Sequence, residues 1–159
     1  MVCKVKDKGP WWLCVLVISV LVVGCNTLPP LKPANLKEPG WTVRDGQAVW
    51  RTKKGAPDIA GELLLATRAD GRSFVQFSKN PFPLIIAQST GAGWEVQVPT
   101  QNKRYSGKGK PPKRMIFLYL PQVLGGQPPP KGWSWEKHAD GVWILENGKS
   151  GEAIEGYLN

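Results

Sequence analysis

Glycine and proline limit the folds open to this chain more than any other feature of its sequence. The 159 residues include 18 glycines and 15 prolines, about a fifth of the chain. Inside a helix each glycine costs about 1 kcal/mol and each proline about 3 kcal/mol, so a long helical bundle or coiled coil is excluded. Hydrophobic residues make up 42% of the sequence, which suits a packed core and argues against a disordered chain. The length fits one domain and is too short for a large multidomain enzyme.

Turn signals separate short runs of strand-forming residues from Trp41 onward. Asp-Gly and Asn-Gly tolerate the positive φ that a tight hairpin requires. The five signals are Asp45-Gly46, Asp70-Gly71, Gly91-Ala92-Gly93, Asp140-Gly141 and Asn147-Gly148. The runs beside them are residues 41–44, 47–50, 62–67, 73–77, 84–89, 94–98, 133–137, 142–145 and 152–158. We therefore predict a mainly β fold, an antiparallel meander of hairpins.

The hydrophobic pattern predicts which strands are buried. Apolar and polar residues alternate over residues 94–98, so the tryptophan and two valines of this run are expected on one face. Trp133 and Trp135 are expected to share a face in the same way. Residues 63–65 and 84–87 are apolar on both faces, which is typical of strands covered on both sides.

One segment is a candidate helix. Residues 112–120 are nearly all apolar after their first three positions, and Pro121 would end a helix there. The segment is expected to be buried, as a helix or as a strand. A sheet this wide hides its apolar face either by closing into a small barrel or by curling over the helix, and both arrangements remain open.

The N-terminus has the features of an export signal. Three lysines within the first eight residues precede an apolar run of 13 residues, 11–23, which is too short to span a bilayer because a spanning helix needs about 20. The run ends in Val22-Val23-Gly24-Cys25, which resembles a bacterial lipobox. The resemblance implies cleavage after Gly24 and acylation of Cys25. An ordinary secretory signal or a short anchor with an incidental Cys25 is the alternative.

The lipobox resemblance implies a location and a domain plan. Asn26 follows the cysteine where an Asp would imply retention in the inner membrane, so we expect lipid anchoring at the outer membrane of a Gram-negative-type bacterium, facing the periplasm. Residues 1–24 are the expected signal peptide. Residues 25–40 are the expected lipidated cysteine and Pro-rich tether, and residues 41–159 are the expected β domain. Cys3 and Cys14 leave with the signal, so no free thiol would remain.

Catalytic and metal-binding patterns are missing from the sequence. His138 is the single histidine and lies beside an expected hairpin tip, with no G-x-S-x-G context. One histidine and an acylated cysteine cannot complete a zinc site, and no phosphate-binding loop occurs. Glu152 and Glu155 could act as a glycosidase pair, but exposed strand charges explain them better. We expect neither an enzyme nor a cofactor or metal.

A basic run is the first feature that suggests binding. The chain has a net charge of +9. Six basic residues fall within twelve positions that contain no acid, namely Lys103, Arg104, Lys108, Lys110, Lys113 and Arg114. Composition alone would allow nucleic-acid binding, but export makes anionic lipid headgroups the better partner. A solvated loop is an equal alternative.

Tryptophan is the second feature that suggests binding. Outside the expected signal there are six tryptophans, Trp41, Trp50, Trp94, Trp133, Trp135 and Trp143. Core filling is the first explanation, because a small sheet needs bulky residues. An apolar cleft for acyl chains and aromatic platforms for sugar rings are the other two.

Three segments of the body resemble the LolA/LolB-like proteins, which carry and receive lipoproteins at the outer membrane. These segments are Gly61-Glu62-Leu63-Leu64-Leu65, Phe77-Ser78-Lys79-Asn80-Pro81-Phe82-Pro83-Leu84, and Leu120-Pro121-Gln122-Val123-Leu124-Gly125-Gly126-Gln127-Pro128. Val123 stands where the family usually has Trp. The resemblance implies a half-barrel of antiparallel strands over one or few short helices, with an apolar cavity for acyl chains.

Departures from the family affect that cavity. The domain is shorter, and the Pro-rich tether replaces the family's N-terminal helix, so the cavity would be shallow or lack a lid. The family receptor also uses an exposed apolar loop residue to deliver its cargo into the bilayer, which the sequence alone does not locate here.

Together these features give two hypotheses. The first is an outer-membrane-anchored lipoprotein whose curved sheet binds lipid or lipoprotein acyl chains. Its expected apolar ligand face consists of Phe74, Phe77, Leu84, Ile86, Trp94, Val96 and Val98. The second is a structural or scaffolding envelope lipoprotein without a cavity, which contacts peptidoglycan or a membrane complex. An inner face filled by its own side chains would favour the second.

Overall fold

A computed structural model describes residues 29–159, so the signal peptide and Cys25 lie outside the described residues. The described chain forms nine strands: β1 (Trp41–Arg51), β2 (Asp58–Arg68), β3 (Ser73–Lys79), β4 (Phe82–Ser89), β5 (Trp94–Val98), β6 (Lys103–Gly107), β7 (Trp133–Lys137), β8 (Trp143–Asn147) and β9 (Ala153–Leu158). Its helical elements are two 3₁₀ turns, Pro99–Gln101 and Ile116–Leu118, and the short α-helix α1 (Leu120–Leu124). Within this range no helix has the length and apolar composition to cross a bilayer.

All nine strands belong to one sheet with the order β6-β5-β4-β3-β2-β1-β9-β8-β7. Each neighbouring pair is antiparallel. Strands β1–β6 and β7–β9 are two meanders, joined where β9 pairs with β1 from Gly46↔Leu158 to Arg51↔Ala153. The order begins at β6 and ends at β7, so the sheet of the described chain is open. The predicted mainly β, antiparallel fold is confirmed, and the alternative of a closed barrel is not.

Four of the five predicted turns join strands. Asp70-Gly71 connects β2 to β3, and Asp140-Gly141 connects β7 to β8. Both glycines have the positive φ that the dipeptide predicts, 85° and 86°. The Gly91–Gly93 run connects β4 to β5, and Asn147-Gly148 lies where β8 leads into the loop before β9.

The predicted turn at Asp45-Gly46 is wrong. β1 runs through it as one strand of eleven residues. A Cβ on Gly46 would overlap the carbonyl oxygen of Tyr157 and the Cα of Leu158. The glycine is therefore required by the close approach of β9, and not by a bend of its own strand.

One face of the sheet, here called the inner face, packs on the connection between β6 and β7. The buried cluster joins sheet residues to that connection. From the sheet it contains Ala48, Leu63, Leu65, Val75, Phe77, Ile85, Ala87, Trp94, Val96, Trp133, Trp143, Leu145 and Ile154, and from the connection Ile116, Phe117, Leu118, Tyr119, Leu120 and Val123. A flat sheet of nine strands would be about 38 Å wide at about 4.8 Å per strand, whereas a five-residue helix is about 7.5 Å long. A single cluster that includes both β5 and β7 therefore requires a curled sheet.

Residues 116–120 of the connection are buried as predicted, but residues 112–114 are exposed and the helical limits differ from the prediction. Residues 112–115 are not helical, and the helical turns lie at Ile116–Leu118 and α1. Pro121 lies in the first turn of α1, where a proline costs little because the amide it lacks would have no acceptor within the helix. The Tyr119 hydroxyl donates to the carbonyl of Pro111 at 2.6 Å, which fixes the entry to these turns.

Candidate functional site

The seven residues of the predicted apolar ligand face do not share one face. Phe77, Trp94 and Val96 are buried in the inner cluster, and Leu84 and Val98 pack against it. Phe74 and Ile86 lie on the opposite face, here called the outer face. On β3 the buried side chains of Val75 and Phe77 point inward, and on β4 those of Ile85 and Ala87 do. Because successive side chains of a strand point to opposite faces, Phe74 and Ile86 point outward.

The inner face is filled by the protein's own aromatic side chains. The Phe77 ring lies 5.9 Å from that of Phe117 in the β6–β7 connection, and Trp50 meets both rings edge-on, with centroids 6.1 and 5.2 Å away. Trp135 stacks on Trp143 at 5.9 Å. Five of the six tryptophans thus lie in or against the core, as core filling predicts.

The outer face carries a groove of about 440 Å³. We call it the outer groove. It crosses β2, β1 and β9 and reaches the β3–β4 hairpin. It is lined by Gln47, Ala48, Val49, Ala60, Gly61, Glu62, Ser78, Lys79, Asn80, Val142, Glu155, Gly156 and Tyr157. No sequence pattern marks this site, because its floor is the backbone of small residues from strands that lie far apart in the chain.

The floor of the outer groove follows one row of paired residues. Ala48 pairs with Gly61 on one side and with Gly156 on the other. A Cβ on Gly61 would overlap the Phe77 ring and the Ser78 carbonyl, and one on Gly156 would overlap the Gln47 carbonyl. Both positions therefore need glycine for the inner face to pack closely under the groove.

The walls of the outer groove combine exposed apolar side chains with a charged rim. Val49 and Tyr157 are 38% and 41% exposed. Glu62, Glu155 and Lys79 are exposed around them. Apolar walls with charges at their edge suit a ligand with an apolar chain and a polar end.

The predicted basic residues lie at one end of the sheet. Lys103 and Arg104 are on β6, which the sequence analysis missed as a strand and treated as a loop. The other four, Lys108, Lys110, Lys113 and Arg114, are in the following segment, and all six are exposed. The turn into β6 consists of Pro99–Gln101 and Asn102, which has a left-handed φ of 49°. The proline and the asparagine were the sequence signal that could have revealed this strand.

Glu95 is a further residue that sequence patterns did not mark as important. Alternation places it on the polar face of β5, yet it is only 1% exposed. Its carboxylate accepts the amide of Leu31 at 3.0 Å and the side-chain amide of Gln97 at 2.6 Å. The Arg104 guanidinium lies 3.9 Å away. A buried carboxylate needs such partners, and here one of them belongs to the predicted tether.

The described part of the predicted tether lies against the outer face. Leu31 is held at Glu95, and the Glu38 carboxylate pairs with Arg68 on β2 at 3.4 Å. A cavity of about 350 Å³ lies between residues 31–38 and the sheet beneath them. The span that can act as a spacer is therefore the chain before Leu31.

The residues considered for catalysis do not come together. His138 is exposed at the β7–β8 hairpin. Glu152 accepts the indole N–H of Trp50 at 3.2 Å, and burial raises the pKa of its carboxyl group, whereas Glu155 points from the other face of β9. Across residues 29–159, no three potential metal ligands are grouped.

No protein-family model matches this chain, and a search of the curated proteins found no match. The site therefore has to be interpreted from its own geometry and chemistry.

Proposed function

We propose that this protein is an outer-membrane lipoprotein, anchored through acylated Cys25, whose curved sheet binds an acyl chain of a lipid or lipoprotein. The observation that carries the proposal is the outer groove, a cavity of about 440 Å³ with apolar side chains in its lining, on the sheet face that the core leaves free. The binding site is thus moved from the inner face, where the sequence placed it, to the outer face.

The chemistry of the outer groove supports this ligand class. Its volume falls within the range of about 300–1,000 Å³ that small-molecule sites occupy. Each methylene buried on its floor contributes about 0.8 kcal/mol. Lys79, Glu62 and Glu155 at the rim would meet the polar end of the ligand, while Val49 and Tyr157 would contact its chain.

Phe82 supports transfer to or from a bilayer. It is the most exposed large hydrophobic residue of the described chain, at 66%, and pairs with Lys79 at the β3–β4 hairpin beside the outer groove. A protruding aromatic ring enters the interfacial region of a membrane readily. We propose Phe82 for the role of the exposed apolar residue that the LolA/LolB-like resemblance implies.

Two measurements test the proposal. Labelled palmitate fed to cells should enter the mature chain at Cys25. In vesicles containing a photoactivatable fatty acid, crosslinks should map to peptides of β1, β2 and β9. Ala60→Trp, which fills the outer groove from an exposed position, should lower the crosslink yield at least fivefold. Ala92→Trp, in the exposed β4–β5 loop, is the matched control and should leave the yield unchanged; equal yields in both variants would refute the site.

One observation favours the second function, a scaffolding envelope lipoprotein without a ligand. The inner face, where a cavity was expected, is filled by Phe117 and its aromatic neighbours. If photoactivatable fatty acids label no groove peptide while the protein is retained on murein or crosslinks to an envelope complex, the scaffold is the function.

A further inference from the structure

The path of the tether shows where the chain leaves the domain. The Leu31 amide is bound by the buried carboxylate of Glu95 on β5, next to the end strand β6. Arg104, on β6, lies 3.9 Å from the same carboxylate. The N-terminal side of the described chain therefore leaves the sheet at its β6 end.

The chain from there to the proposed lipid anchor is short. Leu31 comes six positions after Cys25, and a fully extended chain of six residues spans about 20 Å. The described contact of this segment is with β5, beside β6, whereas β7 forms the other edge of the sheet. An anchor at Cys25 therefore holds the β6 end within about 20 Å of the membrane.

Charge distinguishes the same two ends. Residues 99–115 contain six basic residues and no acid. Five of these six, all except Arg104, form no ion pair within the described chain. Residues 131–147, at the β7 end, contain two basic and three acidic residues. Tyr105 is 40% exposed among the basic side chains, and such an amphipathic ring suits a membrane interface.

We propose that the β6 end, meaning β6 together with residues 108–114, docks on anionic headgroups of the bilayer that holds Cys25. The inference rests on the proposed lipid anchor and adds an orientation to it. Glu95 holds the tether so that the short chain and the basic surface face the same membrane.

The test uses the mature chain reconstituted in vesicles. Its natural cysteine is the acylated Cys25, so an introduced cysteine can be labelled selectively. A dye at Gln101→Cys reports on the β6 end, and a dye at Ser134→Cys, also exposed, reports on the β7 end. Quenching by aqueous iodide is compared between phosphatidylcholine vesicles and vesicles that also contain phosphatidylglycerol. We expect quenching at position 101 to fall at least threefold in the anionic vesicles and quenching at position 134 to stay the same.

Charge reversal identifies the contacting surface. Lys108→Glu, Lys110→Glu and Lys113→Glu combined should abolish the protection at position 101. Lys53→Glu, Lys137→Glu and Lys149→Glu combined change the net charge equally at exposed sites elsewhere and should preserve it. Molar salt should also abolish the protection, because it shortens the Debye length to about 3 Å.

The outcomes separate the docking surface from the anchor. Mass spectrometry of the intact protein shows whether Cys25 is acylated, independently of docking. If the chain is not acylated, its co-sedimentation with the two vesicle types is measured instead, and the first triple variant should lower binding to anionic vesicles at least tenfold. Equal protection at positions 101 and 134, or equal effects of the two triple variants, would overturn the docking surface whether or not the anchor is present.

Discussion

Side chains alternate between the two faces of this sheet, and the two faces have different roles. The inner face is closed by the β6–β7 connection, with Phe117 packed between Trp50 and Phe77. The outer face is covered by the tether between Glu95 and Arg68 and carries the outer groove over β2, β1 and β9. The comparison indicates that stability comes from the inner face, which leaves the outer face available for binding.

The largest expected effect compares two phenylalanines of β3 that point to opposite faces. Phe77→Ala should lower the free energy of unfolding by about 3–5 kcal/mol, because the buried ring leaves a cavity in the core. Phe74→Ala removes the same atoms from a half-buried position on the outer face and should cost less than half as much. Urea denaturation measures both, and equal costs would mean that the outer face contributes to the core.

A second pair of neighbouring residues tests the floor of the outer groove. Gly61→Ala adds a methyl group that overlaps the Phe77 ring on the inner side, so we expect a loss of about 1–3 kcal/mol from overpacking. Ala60→Val adds two methyl groups on the exposed outer side and should change stability by less than about 0.5 kcal/mol. Thermal melts of the two variants measure the difference; a stable Gly61→Ala protein would show that the strands can separate there.

Local signals predicted most of the fold and failed where distant strands decide the outcome. Asp70-Gly71 and Asp45-Gly46 are the same dipeptide, yet only the first is a turn. The second is fixed by β9, whose backbone approaches Gly46 from more than a hundred residues away. Sequence alone could not have revealed this pairing, because the hydrophobic pattern of a single strand does not specify its partner.

The same dependence on distant parts of the chain explains why the site residues were predicted only in part. Alternation correctly put Trp94 and Val96 on one face of β5, but it could not show that residues 116–123 fill that face. It also put Glu95 on the face expected to meet solvent, where the tether covers it. The sequence did not reveal the outer groove, because Ala48, Gly61 and their neighbours form its floor only after β1, β2 and β9 pair.

Loss of the contact between the tether and Glu95, on the outer face, should lower stability by an intermediate amount. Glu95→Ala removes the acceptor for the Leu31 amide and leaves Arg104 without this carboxylate. A lost hydrogen bond to a charged group costs about 1.5–3 kcal/mol, so we expect a loss of that order. Hydrogen exchange at the Leu31 amide should accelerate at least tenfold. Gln97→Ala, which keeps the carboxylate, is the control and should leave that exchange slow.

The smallest expected effect is a pH dependence that belongs to the inner side of β9. Burial raises the pKa of Glu152 in the folded protein above its usual 4.5, so the folded state binds this proton more tightly than the unfolded state. The stabilisation is complete below pH 4.5 and is lost as the pH rises through the folded-state pKa. Glu152→Gln keeps an acceptor for Trp50 and should remove this contribution from urea-denaturation curves measured across that range. Glu155→Gln, on the exposed outer face, should leave it in place; the reverse result would mean that the two faces of β9 had been assigned the wrong way round.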